Sequence, residues 1–227
     1  YQTCFAHSCA CEDIYISGAP FPRPRSRACL FIHGGSWQRG DRRHPDFPDK
    51  LYGEVGRALA RAGLVGVVMS YRLAPGVQHP EQVRDVARAI RWINRSVSQY
   101  GGEPEDIAIV GHSAGAHLAA LCLAEKRWLD EEGGLTSTRY HPISAFVGIS
   151  GIYDVPRMAA NTIGRMLACA AFGDDKQAWE AASPLHRAIV VTTECPLTNI
   201  PVLLLTASSD FHLHNDAEGL VSMLKGA

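Results

Sequence analysis

Short apolar runs alternate with helical segments along most of this chain, and this alternation restricts the fold more than any other feature of the sequence. Each run is rich in Val, Ile, Leu and Ala, as expected of strands that are buried on both faces of a sheet. The predicted strands are Ala28 to Ile32, Leu64 to Ser70, Asp106 to Val110, Ile143 to Ser150 and Val202 to Thr206. Strands joined by helices pair in parallel, with helices covering both faces. The pattern predicts an α/β fold, a three-layer αβα sandwich around a mostly parallel sheet.

The segments between these runs carry helical signals. Apolar side chains recur at three- and four-residue steps from Val83 to Val97, Pro80 suits the first turn of that helix, and Gly101 ends it. A second helix is predicted to begin directly after Ser113. From 155 to 196 the strand–helix rhythm is lost. This excursion is expected either to cover an active site as a lid or to be ordinary helical packing.

Length and charge exclude several classes of protein. At 227 residues the chain has the size of one α/β domain, and we expect 1–227 to be a single domain. A net charge of −1 gives no reason to expect nucleic acid binding, and the apolar runs are too short to span a bilayer. One basic cluster, Arg39, Arg42, Arg43 and His44, is either a solvated loop or a site for a substrate carboxylate.

The cysteines favour a reducing compartment. The chain has seven of them, so they cannot all pair with one another. Cys29, Cys122 and Cys169 lie in apolar contexts typical of reduced, buried thiols. The cysteines near the N-terminus lack a C-x-x-C spacing and a second ligand pair, so no metal site is expected. The N-terminal residues do not form a secretory signal, and a cytoplasmic location is the expectation.

The segment Gly111-His112-Ser113-Ala114-Gly115 matches the pattern G-x-S-x-G. A predicted strand runs directly into it and an alanine-rich helix runs directly out, which is the setting of a nucleophile elbow. That turn requires glycines two residues to either side of the serine, which it thrusts above the sheet. Ser113 is therefore the candidate nucleophile, the plainer alternative being a serine that caps a helix. His112 and His117 are expected to be packing residues.

A glycine-bearing loop, His33-Gly34-Gly35-Ser36-Trp37, follows the first predicted strand. Acyl transfer passes through a tetrahedral oxyanion, which needs preorganised N–H donors. Small residues allow a loop to turn its amides inward, so Gly35 and Ser36 are candidate donors of an oxyanion hole, with Ala114 as the third. His33 is expected to orient the loop. The same loop alone would equally be a turn at a strand end, but its occurrence before the elbow favours the catalytic interpretation.

With these motifs the sequence resembles the α/β-hydrolase superfamily, in its esterase/lipase branch with an HGG motif. It is most similar to carboxylesterases and kynurenine formamidases, whose oxyanion motif reads HGG-x-W. The resemblance spans about Ile14 to Leu224 and includes three further segments: Ser70 to Pro75, His79-Pro80 with Asp85, and Ser150 to Asp154. It implies an α/β-hydrolase fold and a serine hydrolase. The motifs do not distinguish esters from formamides.

The resemblance also implies a carboxylate at the end of the strand that follows the excursion. Asp210 comes after the apolar run Val202 to Leu205 and a short polar loop. At the carboxyl end of a parallel strand it would hold the tautomer of a catalytic histidine and stabilise the imidazolium. The alternatives are a helix N-cap and a solvated carboxylate.

The histidine of such a triad is the missing element. The order in this fold is Ser, then Asp or Glu, then His, and only residues 211–227 follow Asp210. His212 and His214 lie too near Asp210 in sequence to come round from beyond another strand. We therefore expect the histidine to lie beyond Ala227 and the chain as given to lack the last strand of its fold, which would leave Val202 to Leu205 as an apolar edge.

Three functions remain open. In the first, Ser113 attacks a carboxylic ester of a small molecule and an acyl-enzyme forms, with no metal or organic cofactor required. The second is arylformamidase activity, which the HGG-x-W form favours. The third is a catalytically silent binding protein on a hydrolase scaffold, for which the missing histidine is the only support. The oligomeric state and the physiological substrate stay open.

Overall fold

The computed structural model describes residues 2–4, 11–17, 24–43, 51–133, 142–188, 196–210 and 213–226. Within them, seven strands form one sheet. The strands are β1 (Gln2–Cys4), β2 (Cys11–Tyr15), β3 (Ser26–Ile32), β4 (Val65–Met69), β5 (Gly102–His112), β6 (Ile143–Ile149) and β7 (Val202–Leu205). Their order across the sheet is β1-β2-β4-β3-β5-β6-β7. The strands from β4 to β7 in this order are parallel, and β1 and β2 run antiparallel at one side.

Helices connect the strands and cover both faces of the sheet, so the predicted three-layer α/β fold is confirmed. The helices are α1 (Tyr52–Arg61), α2 (Glu81–Ser96), α3 (Ala114–Ala124), α4 (Arg127–Glu131), α5 (Val155–Met158), α6 (Thr162–Phe172), α7 (Lys176–Ala181), α8 (Pro184–Ala188) and α9 (Leu213–Gly226). The predicted excursion at 155–196 contains α5 to α8, and its residues 189–195 lie outside the described part of the chain.

The core lies against the central strands. Leu30 and Ile32 of β3, Val67 of β4 and Ile109 of β5 are fully buried, as predicted for strands covered on both faces. The helix α3 is also buried along its whole length, because it packs between the sheet and the neighbouring helices.

The strand β7 forms an edge of the sheet. Within the described residues it pairs with β6 alone, and Leu203 is 52% exposed and Leu205 46% exposed. Its apolar run is typical of a strand buried on both faces, but the sequence analysis also expected this run to be left as an apolar edge in the chain as given. The structure agrees with that second expectation.

The strand β2 and the helix α1 were not anticipated from the sequence. Glu12 and Asp13 give β2 a polar character, which is unusual for a strand interior. Both carboxylates are nevertheless buried, and Asp13 is paired with Arg42 and Arg43 from the loop after β3. Because these partners lie about thirty positions apart in the sequence, the local pattern did not reveal them.

The loop after β4 is fixed by one buried carboxylate. Asp85 on α2 accepts hydrogen bonds from the backbone N–H of Arg72 at 3.0 Å and from its Nη2 at 2.8 Å. Arg88 donates to the same carboxylate at 2.9 Å. Arg72, the arginine of the segment Ser70 to Pro75, thus anchors this loop on α2 through its pairing with Asp85.

Candidate active site

Ser113 occupies the sharp turn between β5 and α3. Its backbone has φ 52° and ψ −118°, a conformation that costs a non-glycine residue on the order of 1–3 kcal/mol. Two hydrogen bonds maintain it: the N–H of Ser113 donates to Ile149 O at 2.8 Å, and its carbonyl accepts from His117 N at 3.1 Å. The strain is therefore supported by β6 on one side and by α3 on the other.

The two glycines of the elbow are required by close packing. A Cβ on Gly111 would lie 2.5 Å from Ala116 Cα, and a Cβ on Gly115 would lie 2.2 Å from Ile32 O. Contacts under 3 Å are not tolerated by real Cβ atoms. Any side chain at either position would push α3 away from β3 and β5 and displace the serine.

The loop after β3 lies directly against the nucleophile. A Cβ on Gly34 would be 3.0 Å from Ser113 Cβ, so the loop backbone and the serine are neighbours. The next three residues have positive φ: 122° at Gly35, 53° at Ser36 and 60° at Trp37. The carbonyl of Gly35 accepts from Gln38 N and from Arg39 N, both at 3.1 Å, which closes the turn.

The predicted oxyanion donors have unused N–H groups. In the described residues, no hydrogen bond from the backbone N–H of Gly35, Ser36 or Ala114 is found. The N–H of Ala114 belongs to the first turn of α3, where backbone donors have no intrahelical partner. The oxyanion-hole role predicted for these three N–H groups is therefore compatible with their hydrogen bonding and stays a prediction.

His33 holds the loop in place through ring stacking and hydrogen bonds. Its imidazole is fully buried and stacks on Tyr71 with ring centroids 4.4 Å apart. Nδ1 lies 2.8 Å from Gly34 O, and the Tyr71 hydroxyl donates to His33 O at 3.1 Å. Burial lowers the pKa of His33, so the ring is neutral. These contacts fit the predicted role of a loop-orienting residue.

Asp210 lies in the bend between β7 and α9. Its carbonyl accepts from Leu213 N at 2.7 Å and so begins the helix. Its side-chain oxygen Oδ2 is buried and has no hydrogen-bond partner among the residues described. A buried carboxylate oxygen without a donor is costly. This oxygen can therefore accept a hydrogen bond from a histidine.

Three described histidines are engaged away from Ser113 and Asp210. The ring bonds of His33 and His117 go to Gly34, Trp37 and Ala182. His186 on α8 has its Nε2 3.5 Å from Asp154 Oδ1. His212, the nearest histidine to Asp210 in sequence, lies outside the described residues.

Two arginines of the basic cluster after the loop are paired within the protein. Arg43 Nη2 donates to Asp13 Oδ1 at 3.0 Å, and Arg42 Nε lies 3.4 Å from the same oxygen. Arg42 Nη1 also donates to Ser70 Oγ at 3.1 Å. The two arginines thus neutralise a buried carboxylate, while Arg39 is exposed and His44 is outside the described residues.

A buried carboxylate in α9 was missed by the sequence reading. Asp216 accepts from Tyr153 N at 2.8 Å and from Asp154 N at 3.2 Å, and it pairs with Arg157. It ties the segment after β6 to the helix that begins just after Asp210. An aspartate in an amphipathic helix normally indicates a solvated face, and no local signal shows this partner.

The described residues also bear on metal binding and on membrane insertion. Among the residues described, no group of three or more His, Cys, Asp or Glu side chains is arranged to hold a metal ion. No described helix combines the length and the apolar character that crossing a bilayer demands.

Solved structures share this fold. Esterase B from Lactobacillus rhamnosis superimposes with a TM-score of 0.73 at 20% identity, covering 95% of this chain and 66% of that chain. A hyperthermophilic esterase from the archeon Pyrobaculum calidifontis superimposes with a TM-score of 0.70 at 22% identity, covering 96% and 68%. These likenesses establish the α/β-hydrolase architecture.

Curated relatives are similar in sequence. Esterase LipC of Mycobacterium tuberculosis is 30% identical over 196 residues, which is 83% of this chain and 45% of that protein. A kynurenine formamidase of Meyerozyma guilliermondii is 30% identical over 190 residues, covering 81% and 65%. The chain therefore spans less than two thirds of the length of these relatives. The predicted resemblance to the esterase branch of the α/β hydrolases is confirmed. The BD-FAE family model matches residues 13–211, and the chain belongs to the BD-FAE family.

Proposed function

We propose that the chain is a serine hydrolase that cleaves carboxylic esters of small molecules through an acyl-enzyme on Ser113. The observation that carries this proposal is the strained backbone of Ser113, held between β5 and α3 and against Gly34. Strain of this kind persists where the surrounding structure maintains it, and it clusters at functional sites. In the proposed site this conformation presents the Ser113 hydroxyl to the substrate, beside the N–H groups of Gly35, Ser36 and Ala114.

The chemistry follows from these groups. The Oγ of Ser113 attacks the ester carbonyl carbon as a base removes its proton, and the carbonyl oxygen becomes an oxyanion. The N–H groups of Gly35, Ser36 and Ala114 stabilise that charge. The C–O bond to the alcohol then breaks and the alcohol takes the proton. Water hydrolyses the acyl-enzyme by the same steps and restores the serine.

The role of Asp210 is to orient the histidine that acts as this base. Its unpaired Oδ2 supports this assignment, because a ring N–H would satisfy it. His33 and His117 are unsuited to the role because they are fully buried and bonded elsewhere. His186 faces Asp154 instead. We infer that the base is a histidine other than these three.

Covalent labelling tests the nucleophile. A fluorophosphonate probe should modify Ser113 and no other serine, as mapped by mass spectrometry of the digested protein. Ser113→Ala should abolish the adduct, with the fold checked by circular dichroism. An adduct on another serine in folded Ser113→Ala protein would rule out the proposed nucleophile. Stoichiometric binding of an ester with neither labelling nor turnover would favour the silent binding protein instead.

Formamide hydrolysis is the second candidate. It is favoured by the kynurenine formamidase relative, which is 30% identical over 190 residues. The loop His33 to Trp37 also has the HGG-x-W form. Because the same elbow and oxyanion donors serve both reactions, the two are distinguished by kcat/KM on p-nitrophenyl acetate and on N-formylkynurenine. A higher value for the formamide would replace the ester proposal.

A further inference from the structure

Trp37 is the last residue of the loop His33 to Trp37, which is called the oxyanion loop below. Its indole N–H has a single hydrogen-bond acceptor. The side chain is fully buried, and Nε1 donates to His117 Nδ1 at 3.1 Å. The two rings meet edge to face, with centroids 5.1 Å apart and planes at 85°. Phe172 of α6 packs on both rings at 4.9 and 5.4 Å. The indole is therefore fixed in both position and orientation.

The other nitrogen of His117 is engaged as well. Nε2 lies 2.7 Å from Ala182 O, a carbonyl of the excursion between β6 and β7. A carbonyl only accepts, so Nε2 carries the proton and Nδ1 presents its lone pair to Trp37. Burial lowers the pKa of His117 to about 3, which keeps the ring in this neutral form. A protonated ring would have no acceptor for the indole.

His117 also belongs to the elbow. It lies in the first turn of α3, and its backbone N–H donates to the carbonyl of Ser113 at 3.1 Å. One residue thus contacts the nucleophile turn, the oxyanion loop and the excursion. The loop that it holds has positive φ at Ser36 and Trp37, which non-glycine residues adopt only when other contacts maintain them.

We propose that His117 is a positioning residue for the oxyanion hole: by fixing Trp37 it holds the N–H groups of Gly35 and Ser36 against Ser113. This inference rests on the proposed function. It corrects the expectation that His117 is a packing residue, since both ring nitrogens make directed bonds. It also makes the excursion a support of the loop, because Ala182 fixes the ring that holds Trp37.

His79 provides a matched control. It is a second histidine in the same aromatic cluster, 5.9 Å from Phe172 and 5.7 Å from Trp128. Its Nδ1 is buried and has no hydrogen-bond partner within the described chain. His79→Phe removes an imidazole from the cluster without touching the loop. A packing role for His117 would give the two substitutions similar consequences.

The experiment measures kcat and KM for p-nitrophenyl acetate. We expect His117→Phe and Trp37→Phe each to lower kcat roughly 10- to 100-fold with little change in KM, because small displacements of catalytic groups have effects of this size. The kcat of the double variant should be no lower than that of the less active single variant. His117→Gln should recover most of the activity, because an amide carries one acceptor and one donor. His79→Phe should leave kcat unchanged.

Each contrary result is decisive. If His117→Phe lowers the melting temperature and leaves kcat unchanged, His117 contributes only to packing. Additive effects in the double variant, or a glutamine variant no better than phenylalanine at equal stability, would also overturn the inference. If His117→Phe does not fold, Trp37→Phe and His117→Gln still decide. Turnover that survives Ser113→Ala would instead overturn the proposed function.

Discussion

The two halves of the candidate site are built differently. The half made by β3 and β5 holds Ser113 and the oxyanion loop through buried side chains, positive φ angles and close glycine packing. The half made by β7 presents Asp210 from an edge strand with half-exposed leucines, and its Oδ2 has no partner within the described residues. In the first half the catalytic geometry is a property of the backbone. In the second it depends on one side-chain contact that the described residues do not supply.

This difference predicts that substitutions in the first half act strongly and those in the second half weakly. Under the proposed function, the backbone half stabilises an oxyanion without any further residue, so it would contribute to catalysis whether or not a base is present. The carboxylate half acts only through a histidine. The predictions below compare the two halves, beginning with the largest effect.

Gly35→Val should lower kcat for p-nitrophenyl acetate by roughly a hundredfold or more, since the loss of one oxyanion donor costs about 3 kcal/mol. A Cβ on Gly35 would lie 2.0 Å from Arg39 O, so the turn must open. The matched control is Gly63→Val, which has φ +84° and open space around its Cβ. It also places a side chain at a positive φ, but away from the site. Equal kcat in the two variants would place the oxyanion hole elsewhere.

Asp216→Ala should destabilise the fold by about 2–4 kcal/mol, because it removes the acceptor of two buried N–H groups and the partner of Arg157. Chemical denaturation measures the change. Glu218→Ala, at an exposed position of the same helix, is the control and should change stability little. A neutral Asp216→Ala would show that α9 is held to the segment after β6 by other contacts.

Stability should fall in mild acid. Burial lowers the pKa of His117 to about 3 and that of His79 to about 4, and it also lowers the pKa of His33. Below a pH of about 6.5 the unfolded chain binds protons that the native chain does not, so the free energy of unfolding decreases. Glu12 acts in the opposite sense, because burial raises its pKa and its contribution is lost as the pH rises.

Denaturation at several pH values between 7 and 5 tests this balance. Each buried histidine contributes a slope of at most about 1.4 kcal/mol per pH unit. His79→Phe should therefore reduce the slope of the free energy of unfolding against pH by at most the contribution of one histidine. If the free energy of unfolding of the wild-type protein rises as the pH is lowered from 7 to 5, the contribution of Glu12 is larger than that of the three histidines.

The sharp turn at Ser113 and the loop after β3 could be predicted from the sequence, whereas the side-chain pairs that surround them could not. The elbow and the loop after β3 are recognisable because glycines at fixed spacing are needed wherever a chain turns this tightly. The role of Asp13, Asp216 and His117 depends on partners such as Arg43, Arg157 and Trp37, which lie 30 to 80 positions away. No periodicity or local motif encodes such distant pairs.

The smallest effects are expected from Asp210→Asn and His212→Ala. An aspartate that orients a catalytic histidine contributes about 10⁴ to kcat, but only if the histidine is there. The rings of His33, His117 and His186 are engaged with other groups, so we expect each substitution to change kcat less than about threefold. Steady-state turnover of p-nitrophenyl acetate, measured beside Gly35→Val, tests this. A drop of three orders of magnitude or more in both variants would identify His212 as the base and give the two halves of the site equal weight. A drop in Asp210→Asn alone would mean that Asp210 orients another histidine of this chain.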